Sequence, residues 1–428
     1  MKILLILAHS KAQRNFFFKM ASKLLQPSLT LLQLAAITPK KHVVELIDCR
    51  FQNVDFNCDC DIVGISSYTY SAEDAYKIAD YFRMKGKTVI LGGYHPSSMP
   101  EEAKQHADSV VIGEAEISWP KLLEDFEGGN LKPFYQSELV DPRYIPVPAR
   151  NLQKNMSFVS RVQATRGCPN RCEFCAVKKV EGYAYRKRPV EHVINEIKSL
   201  PTSSFSFDDS SLTIDLDYTK ELFGGMVGLK KSFSCYGNIN ILNENDDLIE
   251  LSKKAGCSTW CVGFESISQD SLIGVRKSNK IENYANAIKK IRKNGIKVKG
   301  LFMFGFDEDT PDIFNRTIKA IKEWKIDFVY FSILTPLPGT PLYDKLDKEG
   351  RILTKDWSKY TCGYVVFQPK KMSNEELFNK TWEVAKDFYS IPNIAKRSLN
   401  DNLNLQQFGN RLMYNLVDKI YFKKNKSF

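Results

Sequence analysis

The sequence has no long hydrophobic run. No apolar stretch among its 428 residues approaches the roughly 18 residues that a membrane span requires. At the N-terminus one lysine precedes six apolar residues, 3–8, too few for the core of a secretion signal, and no cleavage site follows. These absences lead us to expect a cytoplasmic chain whose first segment is a buried strand. Histidine is scarce: there are five, and His42, His95, His106 and His192 show no metal-ligand spacing. Nor is there a dense basic block. The 61 Lys and Arg exceed the 50 Asp and Glu by 11, but the cations are scattered, as on a solvated surface. Nucleic-acid binding is therefore not expected, whereas an acidic substrate or peripheral contact with an anionic membrane surface stays open. No short-period repeat occurs. A composition of 43% hydrophobic and 26% charged residues excludes a disordered or collagen-like chain.

What is present is an alternation. At about 150 residues per domain the length implies two to three domains. Short apolar runs at 2–8, 43–47, 62–66, 88–91 and 109–112 read as strands buried on both faces. Helical patterns at 29–37, 72–83 and 117–126 lie between them. Such alternation predicts a Rossmann-like, doubly wound parallel sheet over 1–140. The segment Asp141-Pro142-Arg143-Tyr144-Ile145-Pro146-Val147-Pro148 can be neither helix interior nor central strand, and 141–157 reads as a linker. A second series follows, with strands expected at 159–165, 204–208, 232–236, 259–265, 298–304 and 328–334. Pro189 opens a helix in which Val190, Val193, Ile194 and Ile197 share a face. Further helices are expected at 246–254, 281–293 and 312–322. Six strands with intervening helices predict a partial (β/α)6, TIM-like barrel over 158–345. From 346 to 428 the chain reads as a mostly helical extension. Ser373-Asn374-Glu375-Glu376 is a capping box opening a helix to about residue 389, and 419–428 is a basic tail.

Ten cysteines in a cytoplasmic setting suggest metal or catalysis where they cluster. They cluster in Thr165-Arg166-Gly167-Cys168-Pro169-Asn170-Arg171-Cys172-Glu173-Phe174-Cys175, with the spacing C-x3-C-x2-C. A fully ligated cubane iron–sulfur cluster takes four thiolates, so three would leave one iron open to a ligand. A structural zinc site would need a fourth donor, and the nearest His, His192, lies inside the expected helix. Arg166 and Arg188 flank the loop, either as counter-ions to an anionic cluster or as ordinary surface cations.

This loop, with Phe174 just before its third cysteine, resembles that of the radical S-adenosylmethionine (SAM) superfamily. The resemblance implies that Cys168, Cys172 and Cys175 are catalytic and ligate a 4Fe–4S cluster whose open iron binds SAM. It also implies reductive cleavage to a 5′-deoxyadenosyl radical, with electrons from a donor such as flavodoxin or ferredoxin. It extends to later strand ends, where barrel enzymes place their sites. Phe205-Ser206-Phe207-Asp208-Asp209, Val262-Gly263-Phe264-Glu265-Ser266, Phe302-Met303-Phe304-Gly305-Phe306 and 336–343 all resemble family patterns. By resemblance Phe174, Asp208, Asp209, Glu265 and Gly305 line the SAM site, Gly305 by letting backbone approach the nucleoside.

The first domain resembles the cobalamin-binding domain joined to many such enzymes, on the evidence of three stretches: Ile65-Ser66-Ser67-Tyr68, Leu91-Gly92-Gly93-Tyr94-His95-Pro96 and Gly113-Glu114-Ala115-Glu116. The resemblance implies cobalamin, with Ser66 and Ser67 bonding its nucleotide tail and the Gly92–Gly93 pair admitting it close to the backbone. One departure matters: the D-x-H-x-x-G that supplies a lower axial ligand is not here. His9 stands near its place without the Asp and Gly, so an orienting partner is missing.

Other classes fit less well. Cys58 and Cys60 are too close together for the second cluster of a methylthiotransferase, and Cys235, Cys257 and Cys261 read as small core residues. Only Cys362 follows residue 300, which excludes auxiliary clusters held by the C-terminus. The intact triplet argues against a SAM- or corrinoid-binding protein without turnover. The expected function is methylation of an unactivated carbon or phosphorus in a small-molecule or lipid substrate. Ring formation, coupling or rearrangement is the alternative if the first domain is empty. Cys172→Ala is expected to abolish both cluster absorbance and 5′-deoxyadenosine formation, and persistence of both would overturn the cluster assignment.

Overall fold

A computed structural model of the chain describes residues 1–9, 28–153 and 157–399. The basic tail at 419–428 and the residues just after His9 lie outside the described residues. The first sheet holds β1 (Lys2–Leu7), β2 (Val43–Asp48), β3 (Ile62–Ser66), β4 (Thr88–Gly92), β5 (Ser109–Ile112) and β6 (Phe134–Gln136). Its order is β2-β1-β3-β4-β5-β6, and every pair is parallel. Helices cover both faces, so β1 and β3 are apolar and buried throughout their centres, as expected of doubly covered strands. The strand order reverses at β1, which pairs with both β2 and β3. A doubly wound sheet opens its crevice at such a switch, beyond the carboxyl ends. Short β6 lacks the apolar run that marks the others, and the sequence reading missed it.

The second sheet holds six strands: β7 (Val159–Val162), β10 (Ser204–Phe207), β11 (Ser232–Gly237), β12 (Cys257–Glu265), β13 (Lys297–Phe304) and β14 (Phe328–Ile333). All pairs are parallel, in the order β14-β13-β12-β11-β10-β7. Helices Val190–Ser199, Leu216–Met226, Asp246–Lys254, Tyr284–Lys293 and Ile313–Glu323 intervene, giving the six-unit partial barrel. The expected first strand, 159–165, is interrupted. β7 stops at Val162, and Thr165–Arg166 (β8) turns away to pair antiparallel with Arg186–Lys187 (β9). The cause is a carboxylate. The amides of Ala164 and Thr165 donate to the Asp209 side chain instead of to a neighbouring strand.

The segment after the first sheet is tied down to the helix Leu29–Ile37. Ala149 N–H donates to the Leu32 carbonyl (3.0 Å), and the Gln33 amide donates to the Pro146 carbonyl (3.1 Å). The C-terminal extension is helical at Asn374–Phe388, capped by Ser373, and at Ile391–Leu399. Between residue 350 and these helices it holds only a short 3-10 turn, Trp357–Lys359, and it crosses back over the first sheet, where Trp357, Tyr360 and Val366 join the core with Tyr76 and Phe82. The Trp357 indole N–H donates to Glu102 (3.0 Å), which also accepts from Tyr76 (2.9 Å) and bonds His95 (3.1 Å). No helix among the described residues is long and apolar enough to cross a membrane.

Candidate functional site

The cysteine loop hangs between β8 and the helix Val177–Glu181. Gly167 must be glycine: its φ is +80°, and a Cβ there would stand 2.1 Å from the Ala184 carbonyl oxygen. Backbone bonds set the loop's shape. Cys168 N–H donates to the Gly182 carbonyl (3.3 Å), Cys175 N–H to Cys172 (3.2 Å) and Glu173 N–H to Val275 (3.0 Å). Cys172 is buried and the other two thiols are half-buried, none in a disulfide. Burial pushes the Cys172 thiol up and the Cys175 thiol up to about 11, and the neighbouring sulfurs add to both shifts. Three thiols within electrostatic range of one another need positive charge among them before they can ionise together, which is what a metal cluster brings. Among the described residues no three Cys, His, Asp or Glu groups converge on a single metal ion. A cubane, each of whose irons takes one thiolate, asks for a wider spread.

The strand ends divide into groups that face this loop and groups that support it. Glu265 ends β12 at φ +63°, a left-handed conformation that a non-glycine residue holds only under strain. It forms a 2.9 Å ion pair with Lys277. Burial opposes the charge on Lys277, but Glu265 and the sulfurs of Cys172 and Cys175 outweigh it and hold the ammonium pKa above its usual range. Lys277 therefore stands between the carboxylate and the cysteine loop. The sequence reading missed it, because one lysine in Arg276-Lys277-Ser278-Asn279-Lys280 is indistinguishable from surface charge. Phe174 is half-buried, its ring edge-on to Phe306 at 6.5 Å. Asp208 lies at the end of β10, ion-paired to Arg161 at 3.2 Å.

One expectation is corrected, and the open reading of two arginines is decided. Asp209 is buried, and its carboxylate accepts from Ala164 N–H, Thr165 N–H and the Thr165 hydroxyl. It positions the loop and is not free for a ligand. Burial raises its pKa to about 7 despite those bonds. Gly305, at φ +104°, makes a turn that other residues rarely adopt, and its Cβ side is filled by Leu377, 2.8 Å from where a Cβ would stand. Arg166 is committed to Glu114 and Glu116, and Arg188 to Glu196, so neither is a counter-ion held ready for a cluster.

Between the carboxyl ends of the first sheet and this loop lies a cavity of about 600 Å³. Ser66, Ser67, Gly92 and Gly93 line one wall; Ala176, Val177 and Val180, just past Cys175, line another. The hydroxyls of Ser67 and Thr69 are buried against this cavity without a hydrogen-bond partner. Unpaired buried hydroxyls cost stability unless a ligand satisfies them, so the wall suits a polar cofactor tail. Thr69 was not foreseen from the sequence. Gly93, at φ +94°, brings its α-carbon so close that a Cβ would stand 2.6 Å from Ser66 Oγ. His9 is not part of the lining; its ring meets Tyr70 edge-on at 5.7 Å.

Gly92 leaves room for a Cβ, with its nearest neighbour at 3.6 Å, but a longer side chain would fill the cavity. Gly92→Leu is expected to cut corrinoid retention at least tenfold with iron content and helical signal unchanged. Unchanged corrinoid stoichiometry would remove the glycine pair from the site.

Known families match both halves of the chain. The Radical SAM superfamily model matches residues 162–321, and the B12 binding domain model matches 23–123. Two methyltransferases of Chlorobaculum tepidum, for bacteriochlorophyllide d C-12(1) and C-8(2), are each 32% identical to the chain. Each match covers 92% of the chain, and 89% and 90% of those proteins respectively. In fold, the chain is similar to the methyltransferase TsrM of Kitasatospora setae, solved with cobalamin and a 4Fe–4S cluster. That match has a TM-score of 0.69 at 14% identity over 100% of this chain and 99% of that one. The cobalamin-dependent enzyme OxsB, solved with aqua-cobalamin and SAM, matches with a TM-score of 0.70 at 15% identity over 99% of this chain and 71% of that one. By its cysteine loop, its two family matches and its near full-length relatives, the chain belongs to the radical SAM superfamily, among the members that carry a B12-binding domain.

Proposed function

We propose that the chain is a cobalamin-dependent radical SAM methyltransferase acting on an unactivated carbon of a small organic substrate. The observation that carries this reading is the shared wall: the cavity lined by Ser67 and Gly93 ends against the helix that leaves Cys175. Relatives of similar length methylate bacteriochlorophyllide d, which favours carbon over phosphorus. When bound, the cluster with SAM supplies a hydrogen-abstracting radical, and cobalamin a methyl carrier.

The chain's own residues arrange and protect that chemistry. Cys168, Cys172 and Cys175 would hold the cluster on a loop that Gly167 and Asp209 fix in place. Lys277, paired to Glu265, offers an ammonium to a carboxylate and Glu265 an acceptor to an amino group, which are the two ends of an amino acid. Phe174 offers a ring face, and Asp208 stands across the cavity mouth. Ser66, Ser67, Thr69, Gly92 and Gly93 would receive the corrinoid. Leu337, Tyr360 and Cys362 line a further stretch of the wall. The two functional units would divide at 141–157.

We assign electron entry to the outer side of the cysteine loop. Tyr183, half-exposed, follows the Gly182 carbonyl that accepts from Cys168 N–H. Arg171 and Lys178 stand over its ring at 5.9 and 5.7 Å. A cationic rim of this kind suits an acidic one-electron carrier such as flavodoxin or ferredoxin. Arg171→Glu with Lys178→Glu is expected to slow flavodoxin-driven SAM cleavage about tenfold and flatten its salt dependence, with dithionite-driven cleavage unchanged. Equal flavodoxin rates in variant and parent would place the entry elsewhere.

The functional reading is tested by anaerobic purification with cobalamin supplied during expression, followed by counts of iron, sulfide and corrinoid. Four irons with one corrinoid per chain, and a labelled methyl group passing from SAM to product, are expected. Four irons with no corrinoid would overturn the methyltransferase and favour cyclisation or coupling.

A further inference from the structure

The second sheet has two unlike faces. On one, Phe205, Phe207, Phe233, Trp260, Phe264 and Phe302 are buried and share a core with the covering helices. The alternate residues face the concave side, and strand register arranges them in rows. Arg161 pairs with Ser206, Ser206 with Ser234, and Ser234 with Thr259. One pleat nearer the carboxyl ends, Tyr236 pairs with Cys261 and Cys261 with Lys299. Partnered positions on neighbouring strands share a face. A closed TIM barrel fills its interior with layers of bulky branched side chains. Here the rows are hydroxyls, a phenol, a thiol and cations, most of them half-exposed and Tyr236 38% exposed.

These side chains act on one another. Burial first, then Cys261 and Asp208, push the Tyr236 phenol up, and Arg161 opposes them. Burial pushes the Cys261 thiol up to about 11, and the Lys299 ammonium pulls against it. Asp208 lines the interdomain cavity and is ion-paired to Arg161, the first residue of its row, so that row begins at the cavity's edge. Its charges are not all matched. Arg161 is neutralised by Asp208, and the Lys297 ammonium sits over the Phe328 ring at 5.7 Å. Lys299 makes no ion pair and no side-chain hydrogen bond among the described residues. A half-enclosed cation without a counter-ion is a deficit that a bound anion removes.

We propose that Lys299, on the concave face of the second sheet, binds an anionic oxygen group of a ligand, a carboxylate or phosphate, at the end far from the cysteine loop. Lys299 lies five residues before the end of β13, or about 17 Å at roughly 3.3 Å per residue. The ligand is therefore elongated, with its reacting atom at the mouth beside Glu265 and the cysteine loop. Leu301 offers apolar surface to the body between, and Tyr236, in the same row as Lys299, flanks the anionic end. Naming this ligand the substrate rests on the functional reading above; the anion site does not.

The test uses an aromatic sulfonate, 8-anilinonaphthalene-1-sulfonate, and its neutral counterpart N-phenyl-1-naphthylamine, in equilibrium dialysis against the anaerobic holoenzyme. Lys299→Met is expected to weaken the sulfonate about tenfold and leave the neutral probe unchanged, while Lys299→Arg keeps both. Benzoate and phenyl phosphate as competitors distinguish a carboxylate source from a phosphate source. Equal sulfonate binding by Lys299→Met and parent, equal weakening of both probes, or displacement by neither competitor would overturn the proposal. A chain that lacks corrinoid yet keeps the charge discrimination would lose the methyltransferase reading and keep the anion site.

Discussion

A buried carboxylate joins the two halves of the molecule. Glu114, at the end of the first sheet, accepts from Arg166 at 3.1 Å and from Arg186 at 2.8 and 2.9 Å, and also takes the Val140 amide at 2.8 Å. Arg166 also binds Glu116 at 2.6 Å, and Glu181 accepts the Gly167 amide at 2.9 Å. Arg166 is the residue two before Cys168, so the first sheet holds the cysteine loop directly. Breaking one side of such a buried pair strands the other charge, at about 3–5 kcal/mol. The distance between the two candidate cofactor sites depends on this network.

The same economy of position recurs around the loop. Asp209 draws Ala164 and Thr165 out of the strand ladder, which ends β7 early and aims the chain toward Cys168. Glu265 is held in a left-handed conformation that turns it toward Lys277. The C-terminal extension secures the outer side: Leu377 fills the space over Gly305, and Trp357 bonds Glu102 behind the Gly92–Gly93 turn. Loops at the carboxyl ends of both sheets thus face one cavity and are fixed by buried polar contacts, as a site that must exclude water requires.

Much of this was legible in advance, for local reasons. Strands buried on both faces announce themselves as apolar runs, so five strands of the first sheet and the six of the second were placed to within a few residues. Cysteine spacing is a covalent property of the chain, and the loop stands where the motif is. Glycines at Gly92, Gly93 and Gly167 mark turns that other residues cannot make. The errors share one cause. Asp208 and Asp209 are adjacent and chemically identical, but one meets Arg161 beside the cavity and the other is buried against the Thr165 backbone. Arg166 and Arg188, read from the sequence as either cluster counter-ions or surface cations, are neither, because the fold brings Glu114 and Glu116 to the one and Glu196 to the other.

The sequence by itself determined the two β/α series, the cysteine loop and the class of chemistry, because periodicity, turn-forming residues and ligand spacing act over a few residues. Only the tertiary structure decided which charges are spent on structure and which are left for ligands. Lys277 and Lys299 are alike in composition. One is fixed by Glu265 beside the cysteines and the other lies on a concave sheet face without a counter-ion among the described residues, because the pairing of a charge depends on residues that the fold, not the chain order, brings within reach.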